Sequence, residues 1–230
     1  MWKRTVDGRT LTFRLAGINN QNFLMRDEES GSWWQQISGK AISGPYRGRQ
    51  LDLVRSDELT SALWRKENPG GTVLKPVERF VAKYETKDWE KQMRKTPTVV
   101  DTRGSGLESR ELIFGVEENG AARAFILSRV LEEKLVQDWI GGSPVIVVVG
   151  SDGKSVRAFE AVLHGAPADF YWSTGAILRD SATGSTWDFR GCAVSGPVSG
   201  ECLRPLPGLR DYWFDWRLYH PRTSIWGLRR

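Results

Sequence analysis

The sequence predicts a mainly β protein with short helices (class α+β), built from an internally duplicated β-rich unit whose first copy is incomplete. Three observations carry this. Residues 31–51, GSWWQQISGKAISGPYRGRQL, recur as residues 184–203, GSTWDFRGCAVSGPVSGECL, with one single-residue gap. Apolar residues fall in short runs of strand length, bounded by Gly, Pro, Asn and Asp. The longest such run, Pro144 to Val149, suits a buried strand and is far too short to cross a membrane as a helix.

Within the recurring segment, Gly31, Ser32, Trp34, Gly39, Ala41, Ser43, Gly44, Pro45, Gly48 and Leu51 return as Gly184, Ser185, Trp187, Gly191, Ala193, Ser195, Gly196, Pro197, Gly200 and Leu203. The similarity runs on to Trp64 and Trp216, and to Pro69 and Pro221. Upstream, Arg26-Asp27 answers to Arg179-Asp180, and Trp2, Gly8 and Phe13 answer to Phe159, Gly165 and Phe170. Internal similarity of this kind is a guide to organisation. It divides the chain into a first, partial repeat (1–76), a charged connector (77–110) and a second, complete repeat (111–230), expected to form one compact structural domain.

Each element follows from local chemistry. Asp7-Gly8 is a hairpin turn, answered by His164-Gly165-Ala166-Pro167 between strands Val156–Leu163 and Phe170–Trp172. Asp-x-x-Ser/Thr-Gly-Ser then makes a tight loop, followed by short strands around Ser-Gly-Pro. A helix closes each unit: one from Ser56 or Asp57 to a stop at Asn68-Pro69-Gly70-Gly71, the other from Leu209 to Tyr219 before Pro221. Last strands are expected at Thr72–Leu74 and Ser224–Trp226. The connector is helix-prone up to Lys95 and loop-like thereafter. Residues 111–150 read as strands Leu112–Val116 and Ala121–Ile126 around Glu118-Asn119-Gly120, a short helix to Lys134, and a strand Val145–Val149. The first copy begins at the equivalent of Ala158, so it lacks the counterpart of residues 111–157. It is expected either to complete its sheet by borrowing from the second or to be a truncated gene product.

Composition narrows the function classes. The net charge is +5, with 33 basic and 28 acidic residues. The densest basic stretch, Lys87 to Lys95, is interrupted by Asp88 and Glu90 and reads as a solvated helix face, so no nucleic-acid partner is expected. No membrane span and no signal peptide are visible. Only His164 and His220 are present, which excludes a site of three imidazoles. His220 stands at a helix end, where a cation suits the dipole. There is no Gly-x-Ser-x-Gly elbow, no P-loop, and no spacing that singles out a carboxylate pair, so catalytic residues are not assigned, no metal site is expected and the cofactor is unknown. Cys192 and Cys202 flank a turn. Three readings stay open for them: two small buried thiols, put first, then a disulfide, then half of a metal site.

The 11 tryptophans need an explanation. Trp34 with Trp187, and Trp64 with Trp216, are most cheaply explained as core beneath a twisted sheet. Trp33 and Trp34 must face opposite sides of a strand, so one of them is exposed or covered by another element. Two loops gather polar groups: Asp27, Ser30 and Ser32, and Asp180, Thr183 and Ser185. Each is either an Asx-type turn fixing the loop or a polar pocket. In the second case Asp27 with Gln35 and Gln36, or Asp180 with Asp188, takes a cation or a hydroxylated ligand such as a glycan. Amides do little proton transfer, which favours binding over catalysis and favours the first copy. The candidate ligand-binding residues are therefore Asp27, Ser30, Ser32, Trp34, Gln35 and Gln36, with Asp180, Thr183, Ser185 and Trp187.

The run Asp27-x-x-Ser30-x-Ser32-x-Trp34-Gln35-Gln36-x-x-Gly39-x-Ala41-x-x-Gly44-Pro45, with Asp180-x-x-Thr183-Gly184-Ser185-x-Trp187 and Trp213-Phe214-x-Trp216-x-x-x-x-Pro221-x-Thr223, resembles the prokaryotic family known as domain of unknown function 3179. The resemblance covers nearly the whole chain. It implies a duplicated domain often found in exported or envelope-associated proteins, and it brings no established activity. Similar members carry a Cys-Pro-x-Cys segment shortly before the position of Trp2. This sequence lacks it, so a redox or metal role tied to those cysteines does not carry over. The expectation is a ligand-binding β-rich module with a polar, tryptophan-lined site in the first repeat. The alternatives are an enzyme using Asp27 or Asp180 with a bound cation, and a structural or partner-binding module.

Overall fold

The computed structural model describes residues 1–84 and 88–228, and strands dominate it. Four helices of seven residues each punctuate the described chain: α1 (Ser61–Glu67), α2 (Trp89–Lys95), α3 (Leu127–Glu133) and α4 (Trp213–Tyr219). A 3-10 turn spans Glu78–Lys83. The expected connector helix is thus two short pieces. Lys87, where the basic stretch begins, lies outside the described residues.

Two four-stranded sheets enclose the largest core. One runs Pro205–Leu206, Val156–Glu160, Ser143–Val149, Leu135–Ile140; the other runs Gly208–Tyr212, Leu112–Glu118, Ala121–Ile126, Ser224–Trp226. Neighbours are antiparallel except Ser224–Trp226, which lies parallel to Arg123–Phe125. The strand Ser143–Val149 is buried on both faces, as its unbroken β-branched run requires. Val145, Val147 and Val149 meet Phe114, Val116, Phe125 and Val130, while Ile146 and Val148 meet Phe159, Phe170 and Trp187. Onto that second face packs a third sheet, Phe170–Ser173, Ile177–Asp180, Thr186–Trp187, Ala193–Ser195.

Residues 1–54 build a sheet of the same form: Phe13–Asn19, Asn22–Asp27, Trp33–Gln35, Ala41–Ser43. Its core is Val6, Leu11, Trp34, Ala41 and Leu51. At the matching positions of the third sheet stand Leu163, Ala168, Trp187, Ala193 and Leu203. The bridge Trp2↔Leu53 has its match in the pair Phe159↔Pro205, and Lys40↔Gln50 matches Cys192↔Cys202. Nothing in residues 1–54 corresponds to the strand that carries Ile146 and Val148.

Several expectations change. Among the described residues the strands of 1–54 pair only with one another, so no sheet is completed by borrowing. The segments meet instead at and just before α1, through Thr60 and Glu67, and at the hairpin tip, where Asn22 donates to Asp215. The first helix starts at Ser61 rather than Ser56, because Thr60 is held extended: its N–H donates to Ser155 Oγ at 3.0 Å and its hydroxyl to Asp152 at 2.5 Å. Leu209 is not helical. Gly208–Tyr212 pairs with Leu112–Val116, and the sheet captures backbone groups that a helix would have used. Thr72–Leu74 is not a strand, and Val73 and Leu74 stand exposed. Its counterpart Ser224–Trp226 pairs with Arg123–Phe125, a strand with no equivalent in the first segment. Cys192 and Cys202 form a disulfide, which overturns the reading as buried thiols, and Cys202 is exposed.

Candidate functional site

Asp27 ends one strand and Trp34 lies in the next, so the loop between them folds back over the carboxylate. Asp27 Oδ1 accepts from Ser30 N at 2.5 Å; Oδ2 accepts from Ser30 Oγ at 2.9 Å and Trp34 Nε1 at 2.8 Å. Ser30 Oγ lies 2.7 Å from Ser32 Oγ, which accepts from Tyr46 N at 3.0 Å. The second loop repeats this set. Asp180 accepts from Thr183 N, from Thr183 Oγ1 at 2.9 Å and from Trp187 Nε1 at 2.9 Å. Thr183 Oγ1 meets Ser185 Oγ at 2.7 Å, and Ser185 Oγ accepts from Val198 N at 3.2 Å.

The Ser-Gly-Pro turn clamps each loop from the other side. Gly44 and Gly196 have φ of +87° and +100°, and a Cβ on either would sit 2.7 Å from the serine Cα of the loop. Only glycine fits there. Asp27, Asp180, Ser32, Ser185 and Trp34 are each at most 1% exposed. Burial alone would raise both carboxyls, but the hydrogen bonds from the tryptophan, serine and threonine donors outweigh it and hold them below the ordinary carboxylate range.

The structure therefore brings Asp27, Ser30, Ser32 and Trp34 together, and likewise Asp180, Thr183, Ser185 and Trp187, but turns them inward. Each carboxylate accepts three N–H or O–H bonds, most of its capacity, and the surrounding donor hydrogens repel a cation. Gln35 and Gln36 do not join the loop. Gln35 Oε1 accepts from Ser38 Oγ at 2.8 Å, and the Gln36 backbone bonds to Trp2 and Phe23 while its side chain is exposed. Asp188 is engaged by Arg190 and Cys192. Trp33 is half-buried beside Gly17, which resolves the alternation with Trp34. Neither histidine pairs with a serine. His164 bonds Glu201 at 3.0 Å, while His220 stacks on Trp216 and lies 3.5 Å from Glu117. Burial lowers the His220 pKa against the pull of Glu117, which works against the cationic form that the helix end would favour.

A concave site lies elsewhere, where residues 56–58 meet the two large sheets. A cleft of about 340 Å³ has Phe114, Leu127, Val156, Ala158, Leu206 and Leu209 as its apolar lining. Strands of both large sheets contribute, and five of these six residues belong to the main core. Around them stand Asp57 and Glu58 from the first segment and Lys154, Arg157 and Arg210 from the second. Arg157 is anchored by Glu67 at 2.8 Å and Asp57 at 2.7 Å; burial works against its charge, and these carboxylates outweigh it. Arg210 approaches Glu58 at 3.7 Å. Lys154 has no ion-pair partner among the described residues. Its loop is fixed by Asp152, which accepts from Lys154 N, Ser155 and Thr60; these bonds overcome burial and bring that carboxyl to about 2.

Sequence reasoning missed this cleft. One signal was present: Arg157 interrupts the apolar strand Val156–Phe159, and a charge in a buried strand demands a partner. Those partners lie some 90 to 100 residues away. Among the described residues no group of three or more His, Cys, Asp or Glu converges as a metal site, and no helix is long and apolar enough to cross a membrane. The model of a family described as "protein of unknown function (DUF3179)" matches residues 1–223. No curated protein and no solved structure matches the chain.

Proposed function

We propose, for a chain that belongs to the DUF3179 family, that it is a β-rich binding module taking a small amphipathic anion in the cleft where residues 56–58 meet the two large sheets. The observation that carries this is the cleft itself: an apolar floor with Lys154, which has no ion-pair partner among the described residues, at its rim. Ligand sites are concave and mostly apolar, with a few placed polar groups, and the volume falls in their usual range. The apolar body of the ligand lies against Phe114, Leu206 and Leu209, and its anionic group meets Lys154. Arg157 and Arg210 are already neutralised in part, so they shape the rim more than they attract.

On this reading the two aspartate loops are structural staples, products of the duplication, and the glycan or cation site at Asp27–Gln36 is given up in favour of the cleft. The Cys192–Cys202 disulfide supports residence in an oxidising compartment. The test uses anilinonaphthalene sulfonate, an aryl anion that fluoresces when buried. The expected result is saturable one-site binding, weakened about tenfold by Lys154→Glu or Leu209→Asp and unchanged by Gln36→Ala. Binding that ignores both cleft variants and falls with Gln36→Ala would return the site to the first loop.

A further inference from the structure

We propose that Glu58 is a built-in competitor at the cleft: its carboxylate screens Arg210, and the carboxylate of a ligand with an apolar body takes its place there. This rests on the cleft being the binding site, and it adds the anionic group of the ligand and the residue that selects it.

The three cations at the rim are held in three different ways. Arg157 is locked, with its side chain 6% exposed. Its Nη2 lies 2.7 Å from Asp57 and 2.8 Å from Glu67, while Nε and Nη1 donate to the same two acids. Lys154 has no ion-pair partner among the described residues. Arg210 stands between these extremes. Its Nη1 lies 3.7 Å from Glu58 Oε1, too far for a hydrogen bond, and its side chain donates no hydrogen bond among the described residues. A guanidinium carries five donors in a planar fork that fits a carboxylate, and the fork of Arg210 is unfilled.

The two partners belong to different elements. Arg210 lies in the edge strand Gly208–Tyr212, where pairing sets it opposite Phe114, another cleft residue. Glu58 lies in the segment that leads to α1. The backbone on either side of it is pinned, at Asp57 by Arg157 and at Thr60 by Asp152 and Ser155. The Glu58 side chain is 66% exposed and makes no hydrogen bond among the described residues. It can therefore leave Arg210 by side-chain rotation, with the walls of the cleft unmoved. An exposed ion pair of this length contributes little net stability, so little is lost when it opens. An incoming carboxylate brings an apolar body that buries against Phe114, Leu206 and Leu209, a contact Glu58 does not make, and it fills the fork with paired hydrogen bonds. Lys154, a flexible point charge, draws the anion in; Arg210 fixes its orientation. A neutral apolar molecule leaves the pair closed and gains nothing from Arg210.

The test measures, on the full chain, how well octanoate and octan-1-ol displace anilinonaphthalene sulfonate, corrected for the affinity of each variant for the dye. Glu58→Gln is expected to tighten octanoate about threefold to fivefold and to leave octan-1-ol unchanged. Arg210→Gln is expected to weaken octanoate, and Glu58→Gln added to it should bring no gain. An equal gain in the Arg210→Gln background would overturn the exchange, because Glu58 would then act only as a negative charge near Lys154. No gain from Glu58→Gln in the wild type would overturn it as well; the cleft reading would stand if Lys154→Glu still weakened the dye. Dye binding that fails to saturate in the wild type and in Glu58→Gln would overturn the cleft reading and the competitor together.

Discussion

The loops at Asp27–Trp34 and Asp180–Trp187 carry the same hydrogen bonds to the same atoms, yet what lies behind them differs. The second is backed by Ile146 and Val148 and closed by the Cys192–Cys202 disulfide. The first has no such strand behind it, and Lys40 and Gln50 stand where the second has its cysteines. The geometry of each loop is therefore set locally, by Asp-x-x-Ser/Thr-Gly-Ser-x-Trp. How firmly it is held is set by the surroundings.

The sharpest way to break this comparison is to remove the acid from each loop. Asp180→Ala strands the buried Trp187 indole N–H, the Thr183 N–H and the Thr183 hydroxyl, and is expected to cost about 3 kcal/mol, read as a shift of the main urea transition. Asp27→Ala removes the same bonds, but the described hydrophobic core of its sheet is drawn from residues 2–51 alone, so a separate early transition is expected instead. Equal shifts of a single transition would mean that the backing makes no difference.

Next in size is the disulfide. Reduction, or Cys192→Ala with Cys202→Ala, is expected to cost about 2–3 kcal/mol by releasing a short loop in the unfolded chain. Lys40→Cys with Gln50→Cys places the same cross-link in the first sheet and should return about 1 kcal/mol there, seen as later melting in oxidised protein alone.

Acid gives the smallest contrast. Asp27 and Asp180 both lie below the ordinary carboxylate value, so their contribution is present above about pH 4 and lost as pH falls through the lowered values. Melting temperature measured toward pH 2 should fall, and Asp27→Asn or Asp180→Asn should each remove part of the slope.

Much of this was legible. The run Pro144–Val149 suited a buried strand, and Trp33 beside Trp34 required that one of them be exposed or covered by another element. A loop-fixing role for Asp27 and Asp180 was one of two readings that Asp, Ser/Thr and Gly at that spacing allowed, the other being a polar pocket. What stayed hidden depends on partners remote in sequence. Leu209 to Tyr212 has a helix-compatible pattern, and only pairing with Leu112–Val116 makes it a strand. Thr72–Leu74 matches Ser224–Trp226 in position but lacks a strand to lie against. Arg157 was visible as an anomaly, whereas Asp57 and Glu67 could be joined to it only by the fold.

The central claim is that the two polar loops are structural and that binding belongs to the cleft. The direct measurement is a two-dimensional amide spectrum of the full chain during titration with anilinonaphthalene sulfonate. The account predicts that the amides of Lys154, Leu209 and Arg210 shift with saturation while the indole N–H signals of Trp34 and Trp187 stay fixed. Shifts at those two indoles with a silent cleft would contradict it.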